Sequence, residues 1–203
     1  MIRQSADEEL ALEVERFRTW ASGHAGSYGE WECDYPGWEK LYDATRGVLA
    51  LPRVSAESVQ RLLYVLARDN ECEIVLAELD EHRETGMVMA RAAWVDSESD
   101  ARWQLAVFLG AQDDEESRAL LRRYVHDADE YVRRRALLAC VEHDAAFAQA
   151  VALERLSDAF EYSRLAALSV LQQTHSPQLA HALVVLRDDP SEVVQAALKQ
   201  IVI

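Results

Sequence analysis

A helix-start pattern recurs in the C-terminal half of the chain at a spacing of about 31 residues. Three copies place an arginine six residues after an aspartate and follow it with an Ala/Leu-rich run: Asp96 with Arg102, Asp127 with Arg133, and Asp158 with Arg164. A fourth copy is expected at Asp188, where Val194 stands in place of the arginine. A fixed period of this length predicts a stack of similar structural units. Such stacks commonly form binding surfaces.

Each copy has the features of the first helix of a helical hairpin. Its acidic residues suit an N-cap and first turn, where unpaired N–H groups and the positive end of the helix dipole favour carboxylates. Its apolar residues follow at three- and four-residue spacing, which places them on one helix face. Second helices are predicted over 115–125, 145–156 and 177–186. Because no hairpin can bury its apolar face alone, the hairpins are expected to stack.

The Asp-x5-Arg pattern, followed by Ala and Leu, resembles the short HEAT repeats of phycobilisome-lyase-type HEAT proteins. The resemblance implies an all-α, right-handed superhelix, here of about five hairpins. It also implies that Asp96, Arg102, Asp127, Arg133, Asp158 and Arg164 form a structural ladder between adjacent units. It covers residues 96–203 and extends back to 69–94, where two further helices are predicted. Residues 1–68 are expected to form a divergent N-terminal cap of the same single domain, 1–203.

Composition favours a helical chain with a substantial core. Among 203 residues there are 7 glycines and 4 prolines, and half of the residues are hydrophobic. These values favour helix and are sufficient for a buried core. No apolar run approaches the ~20 residues that a membrane-spanning helix needs. The three cysteines, Cys33, Cys72 and Cys140, are odd in number and far apart. That pattern predicts free, mostly buried thiols and a cytoplasmic location.

The net charge of −15 is unevenly distributed. Residues 1–100 carry 21 acidic and 10 basic side chains, whereas residues 101–203 carry 15 and 11. An acidic chain repels nucleic acid and anionic lipid and attracts basic partners. A basic protein partner is therefore expected, and neither nucleic acid nor a membrane. The alternative is that the acidity only keeps the protein soluble.

The least regular part of the sequence lies between helices predicted over 6–21 and 36–49. Its glycines and proline mark a loop of about 16 residues, which is long for a compact domain. In such a loop, carboxylates would pair with Arg or Lys of a partner and aromatic rings would supply contact area. The candidate partner-binding residues are Glu30, Trp31, Glu32, Asp34, Tyr35 and Glu39. The competing interpretation is that this segment caps the end of the stack.

Sequence motifs for catalysis are missing: there is no phosphate-binding loop, nucleophile elbow or paired-cysteine metal motif. Iron-dependent HEAT enzymes of the deoxyhypusine hydroxylase type carry His-Glu dipeptides, but here the order is reversed in Glu81-His82 and Glu142-His143. HEAT-like DNA glycosylases need a basic concave face, and the basic clusters are confined to 122–123 and 133–135. A chromophore-lyase role rests on the repeat type alone. No enzyme activity, metal or cofactor is therefore expected.

Non-catalytic protein binding is the expected function. An acidic chain without catalytic motifs fits an immunity- or antitoxin-type inhibitor that neutralises a basic bacterial toxin, such as a nuclease. An acidic inhibitor would associate rapidly with the basic cleft of such a toxin. A general HEAT scaffold or adaptor is the alternative, and a HEAT-type enzyme is third. The sequence specifies neither the partner nor the oligomeric state.

Overall fold

Every regular element in the described part of the chain is a helix. The computed structural model describes residues 5–24 and 31–201, and for Trp31, Val95 and Asp96 it describes the backbone alone. The predicted all-α class is therefore confirmed for these residues. The chain divides into two compact units, Met1–Phe108 (unit 1) and Leu109–Ile203 (unit 2).

In unit 1 the predicted helices over 6–21 and 36–49 are present, with ends that shift by no more than two residues. Helix α1 begins at a capping box, because the Ser5 hydroxyl accepts the Glu8 N–H while the Glu8 carboxylate accepts the Ser5 N–H. The described elements of this unit are α1 (Ala6–Ser22), a 3₁₀ turn (Trp31–Asp34), α2 (Trp38–Leu49), α3 (Ala56–Arg68), α4 (Ile74–Leu79), α5 (Arg83–Asp96) and most of α6 (Ser99–Gly110).

Helix α4 begins at Ile74, five residues later than the sequence pattern predicts. The reason lies in the preceding turn. The Asp69 carboxylate accepts the Val75 N–H at 2.6 Å (Oδ2 to N), which satisfies a free donor of the first helical turn. Glu73 adopts a left-handed backbone with φ of 54°, a conformation that a non-glycine residue rarely takes. The turn 69–73 is therefore a defined structure and not the start of the helix.

The core of unit 1 is built where α1, α2 and α3 pack against one another. Leu10, Val14 and Phe17 of α1 are fully buried, as are Leu62 and Leu66 of α3. Their three- and four-residue spacing places these side chains on one apolar face of each helix. Helix α5 packs on α3 and continues this core.

In unit 2 each helix from the seventh to the tenth packs against the next helix in the chain. Helix α10 contacts its neighbours in sequence, α9 and α11, and it also contacts α8 and α12. Helices α8, α10 and α12 therefore form a row. The elements of this unit are α7 (Glu115–Tyr124), α8 (Glu130–Ala139), α9 (Ala145–Arg155), α10 (Glu161–Gln173), α11 (Leu179–Val185) and α12 (Glu192–Gln200).

The largest deviation in unit 2 is at α11, which begins at Leu179 and not at Pro177. His175 takes a left-handed backbone with φ of 48°. The Ser176 hydroxyl accepts the Gln178 N–H and donates to the Gln149 side chain, each at 3.2 Å. Ser176 therefore stabilises a turn before the helix and does not act as its N-cap.

Cysteine burial differs from the prediction. Cys140 is buried, and burial raises the pKa of its thiol to about 12. Cys33 and Cys72 are exposed, because each lies in a turn and not on an apolar helix face. None of the three cysteines forms a disulfide in the described structure, as predicted. No helix in the described ranges is long and apolar enough to cross a bilayer.

Candidate protein-binding surfaces

The predicted partner-binding segment contributes much of its aromatic surface to the core of unit 1. Tyr35 is 7% exposed. Its ring packs edge-on against Phe17, with ring centres 4.8 Å apart, and lies 5.1 Å from the ring of Trp20. Burial, and then the nearby Glu13 carboxylate, raise the pKa of Tyr35. Tyr35 therefore stabilises the fold and offers no exposed ring to a partner, contrary to its predicted role.

Trp38 holds the same segment in place. Its indole Nε1 donates to the Glu32 carbonyl oxygen at 2.7 Å, and its ring stacks on Tyr42 with centres 5.1 Å apart. The Glu32 carboxylate is half-buried and lies 3.7 Å from Arg68 Nη1. These contacts fix the 3₁₀ turn against α2 and α3.

Two of the predicted residues remain available to a partner. Asp34 and Glu39 are exposed on the 3₁₀ turn and on the first turn of α2. Glu30 and the side chain of Trp31 lie outside the described residues. The described part of the segment thus presents carboxylates on the outside and packs its aromatic rings inside.

A second source of exposed carboxylates lies beside this segment, in the turn between α3 and α4. The turn is joined to α2 by a buried hydrogen bond from the Tyr42 hydroxyl to Asp69 Oδ1, at 2.7 Å. Arg68, the last residue of α3 and next to this turn, forms an ion pair with Glu32 of the 3₁₀ turn. Glu71 and Glu73 of this turn are exposed. We call Asp34, Glu39, Glu71 and Glu73 the acidic face.

The Tyr42–Asp69 pair has strongly perturbed acidity. Asp69 is 2% exposed, and its burial raises the pKa of the carboxyl despite the hydrogen bonds from Val75 N–H and Tyr42, which act in the opposite direction. Burial also raises the pKa of Tyr42, and so does its bond to Asp69. The pair lies in the interior and positions the turn that carries Glu71 and Glu73.

The repeat motif of unit 2 has a specific local structure. Asp127 Oδ1 accepts the Asp129 N–H at 2.8 Å, and Asp158 Oδ1 accepts the Phe160 N–H at 3.0 Å, two residues further on in each case. The arginine six residues after each aspartate donates to the carbonyl oxygen of that aspartate, at 2.8 Å for Arg133 Nη1 and 2.9 Å for Arg164 Nη1. Within one repeat, the aspartate and the arginine of the motif therefore both bond backbone groups of the turn before the helix. The turn is stabilised without an ion pair between these two side chains.

The fourth copy of the motif begins at Asp189, so the prediction of Asp188 is wrong by one residue. Asp189 Oδ1 accepts the Ser191 N–H at 2.9 Å, as in the two preceding copies. Gln195, six residues on, donates from Nε2 to the carbonyls of Arg187 at 2.9 Å and Asp189 at 3.2 Å. The neutral amide thus takes the place of the arginine, and Asp188 is exposed.

Ion pairing runs from one repeat to the next. The Arg164 guanidinium contacts both carboxylate oxygens of Asp189, and these hydrogen bonds lower the pKa of Asp189. In the preceding repeat, burial raises the pKa of Asp158, but the Phe160 N–H, Ser163, Arg155 and then Arg133 outweigh it, and the net shift is downward. For the first copy, Arg102 donates to the Ser97 carbonyl, and the side chain of Asp96 lies outside the description.

The basic clusters of unit 2 have internal partners. Arg122 Nη2 lies 2.7 Å from Asp144 Oδ2, and Arg134 Nε lies 3.5 Å from Glu130 Oε1. The described residues contain no group of three or more His, Cys, Asp or Glu placed to hold a metal ion. Of the reversed dipeptides, His82 precedes α5, and His143 Nδ1 lies 3.6 Å from Asp113 Oδ1.

Exposed apolar side chains occur at one position of every repeat in unit 2, four residues after its aspartate. Tyr131, Tyr162 and Val193 occupy this position, and all three are exposed. Phe160, two residues before Tyr162, is 55% exposed. The recurring tyrosine is visible in the sequence, but periodicity alone assigns it no side of the helix. Only the packing of α8, α10 and α12 shows that it faces outward.

Unit 1 also contains a groove of about 650 Å³ between the α2–α3 loop and the start of α5. Arg53, Arg83, Glu81 and Glu84 line it together with apolar residues such as Val88. Because the lining carries both positive and negative side chains, it does not indicate whether a ligand would be anionic or cationic.

No protein-family model matches this sequence, and no curated protein matches it. The function is therefore inferred from the residues and geometry of the chain itself.

Proposed function

We propose that this chain is a non-catalytic binding protein whose partner is a basic protein. The observation that carries the proposal is the acidic face of unit 1, where two chain segments that contact each other both present exposed carboxylates. These side chains make no ion pair within the described residues, whereas Glu32 beside them is paired with Arg68. Exposed, unpaired carboxylates attract arginine and lysine of a partner and accelerate association.

The specific form that we propose is an immunity- or antitoxin-type inhibitor that acts in the cytoplasm. A toxin that acts on an anionic substrate, such as a nuclease, carries a basic cleft, and the acidic face is suited to block it. The buried Tyr42–Asp69 hydrogen bond supports this role because it fixes the turn carrying Glu71 and Glu73. A rigid charged surface loses little conformational entropy when it binds.

We further propose that the hairpins stack as a right-handed HEAT-like superhelix. Two features of unit 2 support this arrangement: the row formed by α8, α10 and α12, and the ion pair from Arg164 to Asp189 of the next repeat. A general HEAT scaffold would share this architecture but would not depend on the acidic face.

The binding proposal is tested with charge-neutralised variants of nearly unchanged shape. The full chain is used to capture partners from extracts of its native host, and the association rate of a purified partner is measured at low and high salt. The variant D34N/E71Q/E73Q removes three charges from the acidic face. The control E142Q/E154Q/D188N removes three exposed charges from unit 2.

For the inhibitor, one basic partner is expected. Its association rate at low salt should fall about tenfold in the acidic-face variant and much less in the control. The difference between the variants should disappear at high salt, because salt screens exposed charges. Equal association rates for both variants, or several partners bound without salt dependence, would contradict the inhibitor and favour the scaffold.

A further inference from the structure

A second surface, in unit 2, presents aromatic rings at the repeat starts. Tyr131 and Tyr162 are 37% and 45% exposed and occupy equivalent positions of adjacent repeats, and Val193 follows in the next one. Exposed aromatic rings at a protein surface are enriched in binding sites, since they contribute large contact area for little loss of side-chain freedom. The residues of this surface belong to unit 2, whereas those of the acidic face belong to unit 1.

The space between the first two rings is already occupied by an arginine of the chain. The guanidinium carbon of Arg134 lies 4.7 Å from the ring centre of Tyr131 and 5.1 Å from that of Tyr162. These are cation–π distances. Glu130 lies beside the same guanidinium. The chain thus shows which chemistry fits between two repeat-start rings: a guanidinium with a carboxylate at its edge.

The next space along the row has no arginine of its own. The position equivalent to Arg134, seven residues after the repeat aspartate, is Leu165 in the following repeat. Here an open groove of about 480 Å³ is lined by Ala159, Phe160, Glu161, Tyr162, Arg164, Pro190 and Ser191. We call it the Phe160 groove.

The charge of the Phe160 groove is negative. Its cation, Arg164, is neutralised by the Asp189 carboxylate through two hydrogen bonds. Glu161 lines the groove, and within the described contacts it bonds a neutral group, the hydroxyl of Ser191. Glu192, at the start of α12, is exposed next to Ser191. A cationic side chain would therefore meet two exposed rings and the Glu161 carboxylate, which accepts the Ser191 hydroxyl and interacts electrostatically with Arg164.

We propose that the Phe160 groove binds an arginine side chain from an extended segment of a partner protein. Phe160 and Tyr162 supply ring faces, and Glu161 supplies the acceptor at the edge of the guanidinium. Arginine fits better than lysine because its planar guanidinium stacks on rings while donating in its own plane. The inference rests on the proposed function only in taking the partner to be a basic protein.

The test uses synthetic peptides and the full-length chain labelled with ¹⁵N. The probe is an uncharged Gly/Ser peptide with one central arginine. Two matched peptides replace that arginine by lysine or by citrulline, which keeps the shape of the side chain but has no charge. Backbone chemical shifts are followed during titration. The arginine peptide should shift the amides of residues 159–163 and 190–192, the lysine peptide should bind more weakly, and the citrulline peptide should give no saturable shift.

Variants identify the groups responsible. F160A/Y162A removes two exposed rings and should weaken the arginine peptide about tenfold, which is the loss expected for two cation–π contacts. E161Q should weaken it severalfold. The control V184A removes an exposed apolar side chain of α11 and should leave the affinity unchanged. Circular dichroism should show equal helicity in all variants.

Three results would overturn the inference. Chemical-shift changes confined to the acidic face would place arginine binding in unit 1, and the proposal that this face binds a basic protein would still stand. Equal binding of the citrulline peptide would show an apolar site without charge recognition. A concentration-dependent dimer that F160A/Y162A abolishes in sedimentation would identify a second copy of the chain as the occupant. Loss of partner binding in D34N/E71Q/E73Q with unchanged peptide binding would separate the two surfaces.

Discussion

The Arg164 guanidinium forms a bidentate ion pair with the carboxylate of Asp189, 25 residues further along the chain. The distances are 2.6 Å from Nε to Oδ2 and 2.7 Å from Nη2 to Oδ1. Both side chains are largely buried, with exposures of 10% and 4%. The same guanidinium also closes the turn of its own repeat. One side chain therefore links the start of α10 to the start of α12.

Asp189→Asn should lower the free energy of unfolding by about 2 kcal/mol at pH 7, because it leaves Arg164 buried without its carboxylate. The hydrogen bonds from Arg164 hold the pKa of Asp189 below its ordinary value. The stabilisation is therefore fully present above the pKa of the unfolded chain, near 4, and is lost as the pH falls through the lower pKa of the folded chain. Urea unfolding should therefore show that the variant and the native chain differ less in their free energy of unfolding at pH 3 than at pH 7.

Asp188→Asn is the matched control for this change. Asp188 is exposed, so its substitution should alter stability by less than about 0.5 kcal/mol at either pH. A larger effect of Asp188 than of Asp189 would mean that the repeat register runs through Asp188 after all.

Gln195→Ala should loosen α12 locally. Its amide donates to the carbonyls of Arg187 and Asp189, so the substitution leaves those groups without this donor and should cost about 1 kcal/mol. Native-state hydrogen exchange should show faster exchange in α12 and unchanged exchange in α10. Gln173→Ala is the control, since the exposed Gln173 side chain bonds the Ser169 hydroxyl of its own helix. Equal protection of α12 in both variants would contradict the role of Gln195.

The period in the sequence locates the repeat arginines but not their partners. Regular spacing identifies Arg133 and Arg164 as equivalent, and both make equivalent turns. The inter-repeat partner Asp189 depends on tertiary packing, which no local pattern contains. The register error at Asp188 has a local cause: two aspartates are adjacent, and the arginine that would distinguish them is replaced by Gln195.

The N-terminal segment shows a different limit of sequence reasoning. Its aromatic residues alternate with carboxylates without a helical or strand period, so the pattern cannot tell which side faces the core. A 3₁₀ turn directs Tyr35 toward Phe17 and leaves Asp34 outside. The carboxylates Glu71 and Glu73 are distant in sequence, and the Tyr42–Asp69 hydrogen bond and the Glu32–Arg68 ion pair connect their turn to this segment.

Two glycine substitutions should have opposite effects on the stability of the fold. In Gly86→Ala the added methyl carbon would lie 2.5 Å from Phe108 Cζ, and the resulting overpacking should destabilise unit 1 by about 2 kcal/mol. In Gly47→Ala the nearest contact is Ala6 Cβ at 3.6 Å, an ordinary distance. Because Gly47 lies within α2, alanine there should stabilise by about 0.5–1 kcal/mol. Thermal unfolding measures both, and a destabilising Gly47→Ala would contradict the packing described for α2.

Tyr42→Phe should destabilise the protein more at neutral pH than in mild acid. The folded pKa of Asp69 is raised mainly by burial, so the native chain loses stability as the pH rises from the unfolded value, near 4, through the folded value. The Tyr42 hydroxyl opposes this shift by donating to the carboxylate. Without it the folded pKa rises further, and the loss becomes larger and extends to higher pH. The expected cost is about 2 kcal/mol at pH 7.5 and clearly less at pH 4.

Urea unfolding at several pH values between 4 and 7.5 measures this difference. Tyr35→Phe is the matched control, because Tyr35 is equally buried but its hydroxyl makes no hydrogen bond to a carboxylate in the described contacts. Its cost should be small and independent of pH. A Tyr42→Phe cost that is equally large at pH 4 would mean that Asp69 is already neutral across this range. In that case the pair would stabilise the turn carrying Glu71 and Glu73 as an uncharged hydrogen bond.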